Sequence, residues 1–253
     1  MPMTAAHHAT LKPWVKHFPP SSSPGEPGAA TVLFPHAGGA ATALRPLATA
    51  LSTQGADTFV MQYPQRADRL ADPAPETLEA LADELFAAAD WRRAGALRLF
   101  GHCMGALVAF EFARRAESQG IPVPEVWVSA GQAPWTVAGS PPAPLADHEV
   151  LADMVDLDGT DPRLLADPDF VELLLMAVRA DYSAFNNYSC DRNVRIGADV
   201  HALGGSDDHR ISEDMLRGWE FHTDGAFTCT LFDGGHFYIN DHIDTVAELI
   251  GRG

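Results

Sequence analysis

One segment of the sequence has the residue types and spacing of a nucleophile site. Cys103 is the central residue of GHCMG at 101–105, which matches the G-x-S-x-G nucleophile elbow with cysteine in place of serine. The apolar run 97–102 predicts a strand before it, and the run 104–118 predicts a helix after it. Glycines let the chain turn sharply there, and the helix N-terminus places positive potential at the sulfur. The pattern favours a catalytic thiol over an inert buried one.

A nucleophile of this kind needs a base, and the base needs an acid that orients it. In this arrangement the chain order is nucleophile, then Asp or Glu, then His. His236 is the candidate base because it lies in a glycine-opened loop, GGHFY, directly after a predicted strand. Asp207 and Asp208 follow another predicted strand, and spacing alone does not decide which of them is the acid.

An acyl-transfer site also needs two backbone N–H donors for the developing oxyanion. The sequence predicts one donor at Met104, the residue after the nucleophile. It predicts the other at Ala37, in the loop FPHAGG that follows the first core strand. His36 in that loop and His102 in the elbow are interpreted as structural residues.

The elements that must position these residues alternate between apolar, β-rich runs and helical patterns. Strands are predicted at 30–35, 58–64, 97–102, 125–131, 199–205 and 227–235, and helices at 42–54, 76–90, 104–118, 212–223 and 241–251. Apolar strands separated by helices indicate a mostly parallel, doubly wound α/β sheet. We expect one domain over residues 1–253, in which the Pro/Ser/Gly-rich residues 1–28 form an irregular lead-in.

A long segment between the strands ending at 131 and starting at 199 breaks the alternation. We predict an inserted helical lid over approximately 134–190, with helices at 148–155 and 168–185. The second helix is apolar around most of its circumference, which is typical of a helix that covers an apolar pocket. The candidate pocket residues are Phe170, Leu174, Met176 and Phe185, although packing of a helical core would explain them equally well.

Composition excludes several classes of protein. The 253 residues are 46% hydrophobic, and 34 Asp+Glu against 17 Lys+Arg give a net charge of −17. Such acidity argues against nucleic acid or an anionic membrane as the partner. Three cysteines without framework spacing, and no visible signal segment, predict a cytoplasmic protein. No Cys/His group has zinc spacing, so we expect no metal.

Five motifs together resemble the type II thioesterases, the stand-alone editing hydrolases of polyketide and nonribosomal peptide synthetases. They are FPHAGG at 34–39, QYPQR at 62–66, GHCMG at 101–105, ALGGSDD at 202–208 and DGGHFY at 233–238. The resemblance implies the α/β-hydrolase fold, a helical lid and Asp208 as the acid. It implies that the substrate is an acyl group on the phosphopantetheine arm of an acyl or peptidyl carrier protein. The protein would then need no cofactor of its own, and a monomer is the expected state.

Two residues depart from the family pattern. Gln65 lies where the family usually has glycine, a change expected to affect only a surface loop. Cys103 replaces serine, so the acyl-enzyme would be a thioester that keeps the acyl group activated. The leading hypothesis is a thioesterase acting on acyl or aminoacyl carriers, and the alternative is an acyl- or aminoacyltransferase between carriers.

Two further hypotheses have less support from the motifs. They are a lactone hydrolase resembling dienelactone hydrolase and a binding module without activity. Because carrier domains are also usually acidic, docking should use either local arginines near the site mouth or apolar contact, and Arg66 and Arg69 are the candidate arginines.

Overall fold

The computed structural model of the protein describes residues 13–21, 29–157, 159 and 163–252. Within these residues, the strands are β1 (Val15–Phe18), β2 (Ala30–Phe34), β3 (Thr58–Met61), β4 (Leu97–His102), β5 (Glu125–Ser129), β6 (Asp199–Gly205) and β7 (Phe227–Phe232). The seven strands form one sheet in the order β1-β3-β2-β4-β5-β6-β7. All neighbouring strands pair in parallel except β1 and β3, which are antiparallel. The predicted mostly parallel α/β fold is confirmed.

Helices cover both faces of the sheet. They are α1 (Arg45–Thr53), α2 (Leu78–Ala87), α3 (Met104–Ser118), α4 (Asp147–Asp156), α5 (Pro168–Asn186), α6 (Glu213–Arg217) and α7 (Ile243–Gly251). Helices α1 and α7 pack together on one face, whereas α2 and α3 pack together on the other. This two-sided cover explains why the central strands are continuously apolar rather than alternating.

Successive residues of one strand supply the two halves of the core. In β2, the side chains of Val32 and Phe34 join the cluster that includes α2 and α3, and Leu33 joins the cluster that includes α1 and α7. All three are fully buried. The period of two in side-chain direction therefore fills both layers from the same short run of sequence.

The predicted irregular lead-in needs one correction. Residues Val15–Phe18, within the predicted 1–28, form the edge strand β1 against β3, where Val15 pairs with Met61 and is buried. The segment is too short to show a strand periodicity of its own, and it becomes a strand because its backbone groups form hydrogen bonds with β3. The rest of the prediction, at 1–12 and 22–28, lies outside the described residues.

The segment between β5 and β6 contains the two predicted helices almost as expected. Helix α4 spans 147–156 and α5 spans 168–186, against predictions of 148–155 and 168–185. Asp167 caps α5 by accepting hydrogen bonds from the N–H groups of Asp169 and Phe170. The limits of the lid at 134 and 190, like the single domain, stay predictions. No helix among the described residues is long and apolar enough to cross a membrane.

Candidate active site

The candidate site lies where the order of the parallel strands reverses. β2 pairs with β3 on one side and with β4 on the other, so the strands that follow β2 in sequence are added first on one side of it and then on the other. The loop after β2 contains Ala37, and the turn after β4 contains Cys103. Ligands of open α/β sheets bind in the crevice at this type of switch point, outside the carboxyl ends of the strands.

Cys103 occupies the strained turn that the elbow motif predicts. Its φ of 55° and ψ of −122° lie outside the regions that non-glycine residues favour, and it directly precedes α3. A Cβ on Gly101 would lie 2.1 Å from the carbonyl oxygen of Gly105, and a Cβ on Gly105 would lie 2.2 Å from that of Phe34. Both positions therefore require glycine, because the helix and the neighbouring strands approach too closely for a side chain.

His236 and Asp208 form a buried pair beside the elbow. The Nδ1 of His236 lies 2.8 Å from Oδ2 of Asp208, and the other carboxylate oxygen accepts the N–H groups of Arg210 and Ile211 at 2.8 and 3.1 Å. Burial raises the pKa of Asp208, but these hydrogen bonds and the nearby imidazole outweigh it and hold the pKa below its ordinary value. Asp208 thus stays a carboxylate and fixes the ring of His236.

The other ring nitrogen of His236 faces the site. Its Nε2 is buried and makes no hydrogen bond to any other residue that the structure describes. Burial lowers the pKa of His236, yet the charge of Cys103 and the hydrogen bond to Asp208 raise it to about 10. Cys103 and His236 line the same cavity, so the imidazole and the thiol both face the space where a substrate would bind.

An apolar cavity of about 200 Å³ opens beside Cys103 and His236. Ala37 also lines it, and the described residues provide no backbone hydrogen-bond acceptor for the N–H of Ala37 or of Met104. The segment between β5 and β6 forms another part of the cavity wall. It contributes Met154, Leu157, Leu164, Phe170, Leu174, Val178 and Tyr182.

A family model and several relatives match this chain. The model for the thioesterase domain matches residues 31–252. The chain belongs to the thioesterase family. Thioesterase PikA5 of Streptomyces venezuelae is 36% identical over 241 residues, which cover 94% of this chain and 84% of PikA5. The solved structure of the type II thioesterase BorB from the borrelidin cluster is 37% identical, with a TM-score of 0.79, and the match covers 94% of this chain and 96% of BorB.

A more similar relative is much longer. Phenyloxazoline synthase MbtB of Mycobacterium tuberculosis (strain ATCC 25618 / H37Rv) is 59% identical over 249 residues, which are 98% of this chain but 17% of MbtB. The chain therefore spans about a sixth of the length of this relative. Together the matches show that the chain belongs to the thioesterase family and is similar both to a type II thioesterase, BorB, and to one part of a much longer synthase.

Two of the four predicted pocket residues line this cavity. Phe170 and Leu174 do so, whereas Met176 is 39% exposed and Phe185 packs against the main core. Met176 lies on the side of α5 opposite the cavity residues, whereas Phe185 shares their face but lies nearer the C-terminal end of the helix, beyond the residues that line the cavity. Cavity residues on this helix recur every four positions, which places them on one face. That spacing was the signal in the sequence that could have identified Val178 and Tyr182.

Neither of the arginines predicted to dock a carrier protein, Arg66 and Arg69, presents its guanidinium at the surface. Arg66 is 6% exposed and makes two hydrogen bonds to Asp181 on α5, at 2.6 and 2.7 Å. Arg69 is 2% exposed, binds Asp72 and lies 3.3 Å from the ring centroid of Trp14. Arginine in this loop serves internal ion pairing and stacking.

Two more histidines surround the site. Burial, with smaller effects from His236 and Arg66, lowers the pKa of His36 to about 4, so its ring is neutral at physiological pH. His102 is buried, and its Nδ1 lies 2.9 Å from the hydroxyl oxygen of Ser129. Among the described residues, no three His, Cys, Asp or Glu side chains are grouped so that they could hold a metal ion.

Proposed function

We propose that this thioesterase hydrolyses acyl or aminoacyl groups from the phosphopantetheine arm of a carrier protein in a polyketide or nonribosomal peptide pathway. The observation that carries the proposal is the convergence of Cys103, His236 and Ala37 on one apolar cavity. The similarity to PikA5 and BorB supports the pathway class. The phosphopantetheine arrives with the substrate, so the proposal needs no cofactor held by this chain.

In the first step, the sulfur of Cys103 attacks the thioester carbonyl. The carbonyl oxygen becomes an oxyanion that accepts hydrogen bonds from the N–H groups of Ala37 and Met104. The carbon–sulfur bond to phosphopantetheine then breaks, and protonated His236 gives its proton to the departing thiolate. A pKa of about 10 for His236 suits this role, because the ring then carries the proton before attack.

In the second step, water releases the acyl group. His236, now neutral, removes a proton from a water molecule, and the resulting hydroxide attacks the acyl carbon on Cys103. The bond to the sulfur breaks and the free acid leaves. Asp208 keeps the imidazole oriented through both steps, since its bond at 2.8 Å holds Nδ1 while Nε2 faces the reaction.

One specific observation favours transfer as a second candidate function. The nucleophile is a thiol, so the acyl-enzyme is itself a thioester, and its formation from a carrier thioester is nearly isoenergetic. The acyl group therefore remains reactive toward the thiol of a second carrier. In that case, the acceptor thiol rather than water would attack the acyl group on Cys103.

The fate of a labelled acyl group tests both candidates. Labelled acyl carrier is incubated with the thioesterase, with and without an unloaded carrier, and the Cys103→Ala variant serves as the control. Release of free acid without any acceptor supports hydrolysis. Label that moves to the acceptor with negligible free acid supports transfer and contradicts hydrolysis. Release that is equally fast with Cys103→Ala contradicts the use of Cys103 in either reaction.

A further inference from the structure

Asp181 is a buried carboxylate on the lid helix α5, and it faces the protein interior rather than solvent. It is 5% exposed. Its Oδ2 accepts the N–H of Gly38 at 2.7 Å and an Nη of Arg66 at 2.6 Å, while Oδ1 accepts the other Nη of Arg66 at 2.7 Å. One side chain thus joins three segments that are distant in sequence: the lid helix, the loop after β2 and the segment after β3.

The loop that Asp181 holds contains the proposed oxyanion donor. Gly38 follows Ala37, so the N–H bound by Asp181 belongs to the peptide group next to the one that carries the Ala37 N–H. Helix α5 also packs closely against this loop, because a Cβ on Gly38 would lie 2.4 Å from a methyl carbon of Val178. Arg66 adds rigidity, since its Nε donates to the carbonyl oxygen of Pro64 at 2.8 Å.

A bidentate arginine–carboxylate pair is well suited to this task. Two parallel, charge-assisted hydrogen bonds fix the orientation of both groups as well as their distance. Their burial means that removing one partner leaves an uncompensated charge, so the loop and the helix are strongly coupled. An oxyanion donor contributes to the rate only when it is already aimed at the oxygen.

Resting on the proposed function, we propose that Asp181 is a positioning residue for the oxyanion site. It aligns the loop that carries the Ala37 N–H. The alignment of that loop therefore depends on the position in which α5 packs. Asp181 does not touch the reacting atoms. Its removal slows reactions that pass through an oxyanion, and it leaves other reactions of the Cys103 sulfur unchanged.

Two probes separate these classes of reaction. Acylation of Cys103 by p-nitrophenyl butyrate forms an oxyanion, whereas alkylation of the same sulfur by iodoacetamide is a direct displacement without one. Both rates can be followed by intact-protein mass on Asp181→Asn. The matched control is Asp147→Asn, which removes an exposed lid carboxylate that pairs with Arg179. We expect acylation by Asp181→Asn to slow about 10- to 100-fold with alkylation unchanged, and the control to retain both rates.

Several results would overturn the inference. A parallel fall of both rates means that Asp181 supports the whole site rather than the oxyanion loop. If Asp181→Asn folds and is acylated at the wild-type rate, Asp181 does not position the oxyanion loop. If Asp181→Asn does not fold, Arg66→Lys decides by the same comparison, since lysine keeps the charge but loses the second hydrogen bond. If neither variant folds, the pair is a folding requirement and the inference fails. Because the ester needs no carrier, a wild-type protein that ignores carrier thioesters would contradict only the proposed function.

Discussion

Gly105→Ala tests whether the close contact between α3 and the sheet positions the nucleophile. The added Cβ would lie 2.2 Å from the carbonyl oxygen of Phe34 and 2.5 Å from that of Pro35. Both are backbone atoms, so α3 and β2 must separate by about 1 Å to reach an ordinary contact distance. The cost lies at the upper end for overpacking, about 3 kcal/mol, which lowers Tm by roughly 6–12 °C in a domain of this size.

The same displacement should reduce the reaction rate. A shift of about 1 Å between Cys103 and the oxyanion donors is expected to slow acylation by about 100-fold. Thermal unfolding and acylation by p-nitrophenyl butyrate measure the two effects. Gly139→Ala is the control, because a Cβ there meets nothing within 4 Å. A Gly105→Ala protein with the Tm and acylation rate of the wild type would refute this account of the elbow.

Three further predictions concern the acid, the base and the lid. Asp208→Asn should slow acylation by about 10²- to 10⁴-fold, whereas Asp207→Asn, at an exposed position, should keep an acylation rate within about twofold of the wild type. Equal losses of rate in the two variants would contradict the assignment of Asp208 as the acid. In Cys103→Ser the pKa of His236 should fall below about 10, because the negative charge at position 103 helps to raise it; an NMR titration with an unchanged pKa would refute this. Arg210→Gln removes the ion pairs to α4, so amide exchange in α4 should accelerate roughly 2- to 10-fold, and unchanged exchange would count against this link.

The elements could be predicted where the information is local. The strand before Cys103, the elbow glycines and the helix after them lie within one short segment, and each has its own periodicity or turn requirement. Helix α5 also carries local signals, a capping Asp167 followed by Pro168 at its first position. The edge strand β1 has no such signal, because its pairing with β3 is a tertiary contact.

The surroundings of Arg66 could not be predicted because its partner is distant in sequence. Asp181 lies 115 residues away and meets Arg66 only when α5 folds over the loop after β2. A single sequence shows that an arginine side chain is charged, but it does not show whether that side chain is buried. Gln65 shows the same limit. Its φ of 62° lies in the left-handed region that favours glycine, which the presence of glutamine in the sequence does not reveal.

The central claim is that Cys103 carries the acyl group between the carrier and water. The direct measurement is intact-protein mass after rapid mixing with an acyl carrier, followed by peptide mapping of the added mass. We predict an acyl adduct on the peptide containing Cys103, its decay as free acid accumulates, and no adduct in Cys103→Ala. An adduct on another residue, or release of acid by Cys103→Ala at the wild-type rate, would contradict the account.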